Sequence, residues 1–141
     1  NYELTGNERA KTLACRCSAM LDELPLPEAT ADKVLKIIFG TSIDIEHIES
    51  YNHKIEAERE RIHKEYGPEI NRIGNLVVLE SSVNRSISNE DYQRVKIPAY
   101  AAQKEFEIVR KHARQYPEWG KDQCLRRKGE EVKKLVDYLC G

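Results

Sequence analysis

Asp44-Ile45-Glu46-His47-Ile48, then Gly74-Asn75-Leu76-Val77-Val78-Leu79, then Asn84, are the stretches of this 141-residue chain on which its fold turns. Residues 42–48 alternate weakly and are rich in isoleucine, which predicts a short strand. Leu76 to Leu79 is a second short apolar run of the same kind. Between them, His53 to Tyr66 is densely charged, with Ile55, Ile62 and Tyr66 on one stripe. That pattern predicts a solvated helix, closed by Gly67-Pro68. The two strands therefore read as a hairpin carrying a helical insertion. From Ser81 onward the chain reads as a turn into a short helix.

Working outward, residues 7–24 read as a helix, with Leu13, Cys17, Met20, Leu21 and Leu24 at helical spacing. Pro25-Leu26-Pro27 ends it, because proline lacks an N–H and restricts its neighbour. Thr30 is placed to cap a second helix running to Phe39, with Val34, Ile37 and Ile38 inward and Gly40 as its stop. Downstream, Ser88 or Asn89 is the expected cap of another short helix, Pro98 an interruption, and two helices follow over 100–115 and 121–139. The order α-α-β-α-β-α-α-α is an α+β class, mostly helical, around a small two-stranded element.

Bulk properties narrow the function. Hydrophobic residues make up 40% and charged residues 33%, a globular composition with a charged surface. No apolar run approaches a membrane span. The polar start, Asn1 to Asn7, carries no export signal, and a cytoplasmic location is expected. The chain has no initiator Met, so a larger parent protein is expected too. The formal net charge of -1 argues against a uniformly basic nucleic-acid binder. Its distribution is uneven: residues 94–141 carry 12 Lys/Arg against 7 Asp/Glu, and the rest 11 against 17. Such asymmetry points to an anionic partner on the basic part, although a helical surface that leans positive accounts for it equally. Cys15, Cys17, Cys124 and Cys140 lack the two-residue spacing of structural zinc pairs and read as free thiols.

Hydrolysis of a phosphodiester needs a base to take a proton from water, a cation to neutralise charge on the phosphate, and something to hold both in register. Histidine suits the first task because its pKa lies near neutrality. Carboxylate and amide oxygens suit Mg²⁺, which keeps several waters and needs only one or two protein groups. His47 is the base candidate, Glu46 and Asn84 the ligand candidates, and Asn75 the amide that ties the loop after the first strand to the second.

These residues resemble an HNH nuclease, the ββα-metal class. In that family an acid-His pair ends the first strand, an Asn opens the second, and a last Asn or His lies in the following helix. His47, Asn75 and Asn84 match in order. The words Glu46-His47-Ile48, Ile73-Gly74-Asn75-Leu76 and Val83-Asn84-Arg85 look most like the HNH domain that ends GmrSD-type modification-dependent restriction proteins. Those domains continue with the pattern met here as Ser88-Asn89, Tyr92, Lys96 and Tyr100, and then Trp119 and Arg127. The resemblance covers about residues 30–139. It implies one nuclease domain: a helical lead-in over 1–40, a ββα-metal core over 41–92 and C-terminal helices over 93–141. It implies His47 as the base that activates water, Glu46 and Asn84 as ligands of one Mg²⁺ or Mn²⁺, and Asn75 as a structural tie. Lys96 and Arg127 would contact phosphate or steady the site. The implied partner is DNA, with a fused or separate NTPase domain for recognition. The implied products carry 5′-phosphate and 3′-hydroxyl ends, and the implied setting is defence against foreign DNA.

One departure is Ser50, where many relatives have a proline three residues after the histidine. Asp44 is a complication. It lies two residues from Glu46, so an ideal strand points both to one face and His47 to the other. Either Asp44 is an extra ligand, or the strand ends before His47 and the loop re-aims it; the second reading is favoured. Blander readings stand beside these. Asn84 could be a helix cap and nothing more. Lys96 is nearly as well read as a plain surface lysine, and Arg126, Arg127 and Lys128 as a solvated helix face. His53, His63 and His112 read as solvated helix residues, and Trp119, Tyr92 and Tyr100 as core. A non-catalytic HNH-like module that binds DNA or a partner, or an RNase on the same fold, are the rival functions.

Overall fold

The structure is a computed structural model that describes residues 6–27 and 29–141. The polar start at residues 1–5, the ground for expecting no export signal, lies outside the described residues. The fold is mostly helical around one antiparallel two-stranded sheet. The strands are β1 (Ile43–His47) and β2 (Leu76–Glu80), paired in register from Ile43 opposite Glu80 to His47 opposite Leu76. All four apolar residues of β2 are buried, whereas β1 buries only Ile43 and Glu46. A strand covered on both sides reads as a continuous apolar run, which is why Leu-Val-Val-Leu occupies β2.

Two helices precede the sheet: α1 (Gly6–Glu23) and α2 (Ala31–Phe39). The Thr30 side chain caps α2 by accepting from the Lys33 amide at 3.1 Å, as its type and position predict. The buried face of α1 differs from the expected one. Cys15, Ser18, Ala19 and Glu23 face inward, while Leu13 and Leu24 are about half exposed. The small Cys15, Ser18 and Ala19 let this helix approach β2 closely, and the bulkier leucines turn outward.

Between the strands lie α3 (Glu56–Tyr66) and two 3₁₀ turns over Gly67–Asn71 and Ile73–Asn75. Ile62 and Tyr66 are buried as expected, but Ile55 is exposed, because α3 begins after it. His53 is buried, its Nδ1 accepting from the Ile55 amide at 3.1 Å just ahead of the helix, so it is not a solvated helix residue.

After β2 come α4 (Ser81–Ile87), a π-helical turn over Tyr92–Lys96, α5 (Ile97–Ala101), α6 (Glu107–Gln115) and α7 (Lys121–Cys140). Asp91, not Ser88 or Asn89, caps the π turn, accepting from the Arg94 amide at 2.9 Å. Asn89 instead holds a left-handed turn at φ 69°. Pro98 sits in the first turn of α5, where its missing N–H costs nothing. The expected helix over 100–115 is broken between α5 and α6. His112 on α6 is buried, not solvated, within a ring cluster of Tyr92, Tyr100, Tyr116 and Trp119. The cysteines among the described residues are free. No described helix is long and apolar enough to cross a membrane.

Candidate active site

The end of β1 is held to the start of β2 by one amide. Asn75 is fully buried. Its Nδ2 donates to the carbonyls of Glu49 (3.1 Å) and Ile70 (2.9 Å). Its Oδ1 accepts from the Glu49 amide (2.8 Å) and from the Trp119 indole N–H (3.2 Å). The Ile48 amide donates to the Asn75 carbonyl at 2.8 Å. The chain just past His47 is thereby fixed to the turn that precedes β2. Gly74, beside it, is where α7 rests: a Cβ there would collide with the Cys124 carbonyl oxygen and the Lys128 side chain.

A cleft of about 60 Å³ opens beside this join, lined by Glu46, His47, Ser50, Tyr51, Asn84 and Lys96 together with Ile45, Ser88 and Asn89. By that measure it has room for a few waters. The structure thus brings His47, Glu46, Asn84 and Lys96 to one place. β1 runs through His47 rather than ending before it. The cleft lies at the strand terminus, where Glu46 and His47 both line it despite their opposite pleat.

Glu46 is buried and charge-balanced. Tyr100 donates its hydroxyl to Oε2, and the Lys96 ammonium lies 3.3 Å from Oε1 without the alignment of a hydrogen bond. Burial pushes the Glu46 carboxyl above its ordinary range, with Lys96 and Tyr100 opposing that rise. Burial likewise pulls the Lys96 ammonium down, with Glu46 opposing. Lys96 also donates to the His47 carbonyl at 2.5 Å. At 1% exposure it faces the protein's own groups.

Asn84 is half satisfied. Its Nδ2 donates to Asp44 Oδ2 at 3.0 Å, and Ser81 donates to the other Asp44 oxygen at 2.9 Å. Its Oδ1 is buried and accepts no hydrogen bond from the described residues. A buried carbonyl without a donor costs roughly 1–3 kcal/mol, and Glu46 Oε1 in the same cleft is also without a hydrogen bond. His47 contacts Asn71, which ends the first 3₁₀ turn, through Nε2 at 2.8 Å. Its ring lies 5.5 Å from that of Tyr51. Burial lowers its pKa, which favours the neutral base.

Arg127 is elsewhere. From α7 it donates to the carbonyls of Ile73 (2.9 Å), Gly74 (3.1 Å) and Leu76 (2.8 Å), bracing the backbone around Asn75. A larger cavity of about 170 Å³ lies between α1, α6, α7 and β2. Three of its charged residues answer one another: Lys134 pairs with Asp22 at 2.8 Å and Glu131 at 3.1 Å, and Ser18 bonds Glu131. The smaller cleft is the candidate for chemistry, because it brings His47, Glu46 and Asn84 together. Asn71, Tyr51 and the Asp44–Asn84 link had no signal in the sequence, since each depends on which chain segments fold together.

The family model for GmrSD restriction endonucleases, C-terminal domain, matches residues 2–133. The chain belongs to that family. Membership implies a restriction-nuclease type of function. No curated protein and no solved structure matches the chain.

Proposed function

We propose that this GmrSD C-terminal domain is an HNH-type endonuclease that hydrolyses DNA phosphodiester bonds with one Mg²⁺ or Mn²⁺, in defence against foreign DNA. The observation that carries this reading is the shared cleft, which His47, Glu46 and Asn84 line together, with the Asn84 amide oxygen left without a hydrogen-bond donor.

The donor set fits a hard cation. One carboxylate and one amide oxygen, with water completing the shell, suit Mg²⁺ or Mn²⁺. No group of three or more His, Cys, Asp or Glu is assembled among the described residues, as an all-protein cage would require. Glu46 and Asn84 would hold the ion, which when bound supplies charge neutralisation at the phosphate. The protein's own residues do the rest. His47 accepts the proton of the attacking water, its burial keeping it neutral for that task. Tyr100 and Lys96 hold the Glu46 carboxylate against rotation. Lys96 also fixes the His47 carbonyl, and Arg127 braces the strand start, so both act as positioning residues rather than phosphate contacts. With both cations turned inward, the domain's own grip on DNA is weak, and a separate recognition domain supplies it.

Purified protein should nick or cut plasmid with Mg²⁺ or Mn²⁺ and stop when chelator is added. His47→Ala should abolish cutting while its melting temperature and circular dichroism match the parent. Parent-like cutting by that variant removes His47 from the role of base. Running the same assay on RNA separates the DNA reading from an RNase on this fold.

A further inference from the structure

A histidine can take a proton only at a ring nitrogen that carries a free lone pair. In the neutral ring one nitrogen is a donor and the other an acceptor, and the partner of one decides the role of the other. The sequence offers no partner for His47. The fold supplies one.

Asn71 Oδ1 lies 2.8 Å from His47 Nε2. An amide oxygen only accepts, so an Asn71 amide turned this way puts the proton on Nε2 and leaves the lone pair on Nδ1. Asn71 is itself held. The turn that it ends is fixed by the Asn75 side chain on the Ile70 carbonyl and by the Arg72 amide on the Glu69 carbonyl at 3.1 Å. The Glu69 carboxylate in turn is bound by Arg72 and by Lys128 of α7. The ring is restrained from a second side by Tyr51, whose centroid is 5.5 Å away at an interplanar angle of 36°. Tyr51 is anchored by His63, which approaches its carbonyl at 2.7 Å and its ring at 4.5 Å.

We infer that Asn71 is the positioning residue for the catalytic base: it fixes His47 as the Nε2–H tautomer and so makes Nδ1 the atom that accepts the proton of water. This rests on the reading of His47 as the base. The proton balance is simple. Nδ1 gains the proton that water loses, Nε2 keeps its own, and the resulting imidazolium stays hydrogen-bonded to the amide oxygen. Asn71 is exposed and its backbone is held by its neighbours, so its side chain can be changed without loss of the fold.

The test uses the whole domain with ¹⁵N-labelled histidine, first without metal. Above the titration of His47, the ¹⁵N shifts should show Nε2 protonated and Nδ1 bare. Asn71→Leu should shift the ring toward a mixture of tautomers, while Asn71→Asp, which keeps an acceptor oxygen, should restore the parent pattern. In cleavage with Mg²⁺, Asn71→Leu should lose about 10–100-fold in kcat with KM little changed, as for removal of other orienting partners. An Nδ1–H tautomer in the parent, or an Asn71→Leu variant with parent-like shifts and kcat, overturns the inference even when His47→Ala is inactive. Parent-like cutting by His47→Ala overturns the inference together with the reading beneath it.

Discussion

Asn75 and Asn84 stand at opposite ends of β2 and carry the same side chain in opposite conditions. The amide of Asn75 is fully used, giving two hydrogen bonds and accepting two in a fully buried setting. The amide of Asn84 gives one bond to Asp44 and leaves its buried oxygen without a donor. The first is what a buried polar group needs in order to stabilise a fold; the second leaves an acceptor open, as the proposed ligand role requires. One residue type thus marks both the scaffold and the candidate chemistry, and only the surroundings separate them.

The sharpest test of that contrast is Asn75→Ala. Removing the amide strands the Glu49 N–H, the Glu49 and Ile70 carbonyls and the Trp119 indole N–H in the interior. The expected loss is about 3 kcal/mol, on the order of 10 °C in melting temperature for a domain of this size. A variant melting within about 2 °C of the parent would show that the join between the strands does not depend on this amide.

A smaller effect on the same side is expected from acid. Trp119, the indole partner of Asn75, packs 5.2 Å from the ring of His112. Burial holds the His112 imidazole well below its ordinary 6.5, with the charge of Arg127 adding to the depression. The unfolded chain therefore takes up a proton that the folded chain resists. The stability contributed by the neutral ring is complete above the unfolded value and is lost as the pH falls toward the folded one. Melting curves should show a lower transition at about pH 5 than at about pH 7.5. His112→Gln should narrow that gap, since its amide can still donate to Tyr92 without titrating. An unchanged gap would place the acid sensitivity in other groups.

The hairpin, its insertion, the capped second helix and the second strand were legible because each rests on local signals: periodicity, Thr30, Gly67-Pro68, a four-residue apolar run. Other features were not, for a common reason. Leu13 and Leu24 are placed outward by the close approach of α1 to β2. His53 and His112 are buried by partners far along the chain or by the precise start of a helix, neither of which spacing encodes. Lys96 and Arg127 were legible as residues worth naming. Their contacts depend on which carbonyls the fold brings near them. The word Gly74-Asn75 has a physical cause that no pattern states: glycine admits α7, and asparagine ties four backbone and indole groups.

The least visible change in stability should come from Asn84→Ala, and that quiet outcome is the informative one. The variant loses the bond to Asp44, which keeps Ser81 as a donor, and it also removes a buried acceptor that lacks a partner. These contributions oppose one another, so stability should stay within about 0.5 kcal/mol of the parent. Mn²⁺ binding, read by electron paramagnetic resonance, should nevertheless weaken by about 10-fold or more, and cutting should fall with it. Asn84→Asp, which keeps an oxygen in place, should retain most of the affinity. If the alanine variant binds Mn²⁺ as the parent does, the bare oxygen is not a ligand and the contrast with Asn75 is one of packing alone. If it unfolds instead, Asn84 belongs with Asn75 as scaffold, and Glu46 is left as the sole protein group to hold an ion in the cleft.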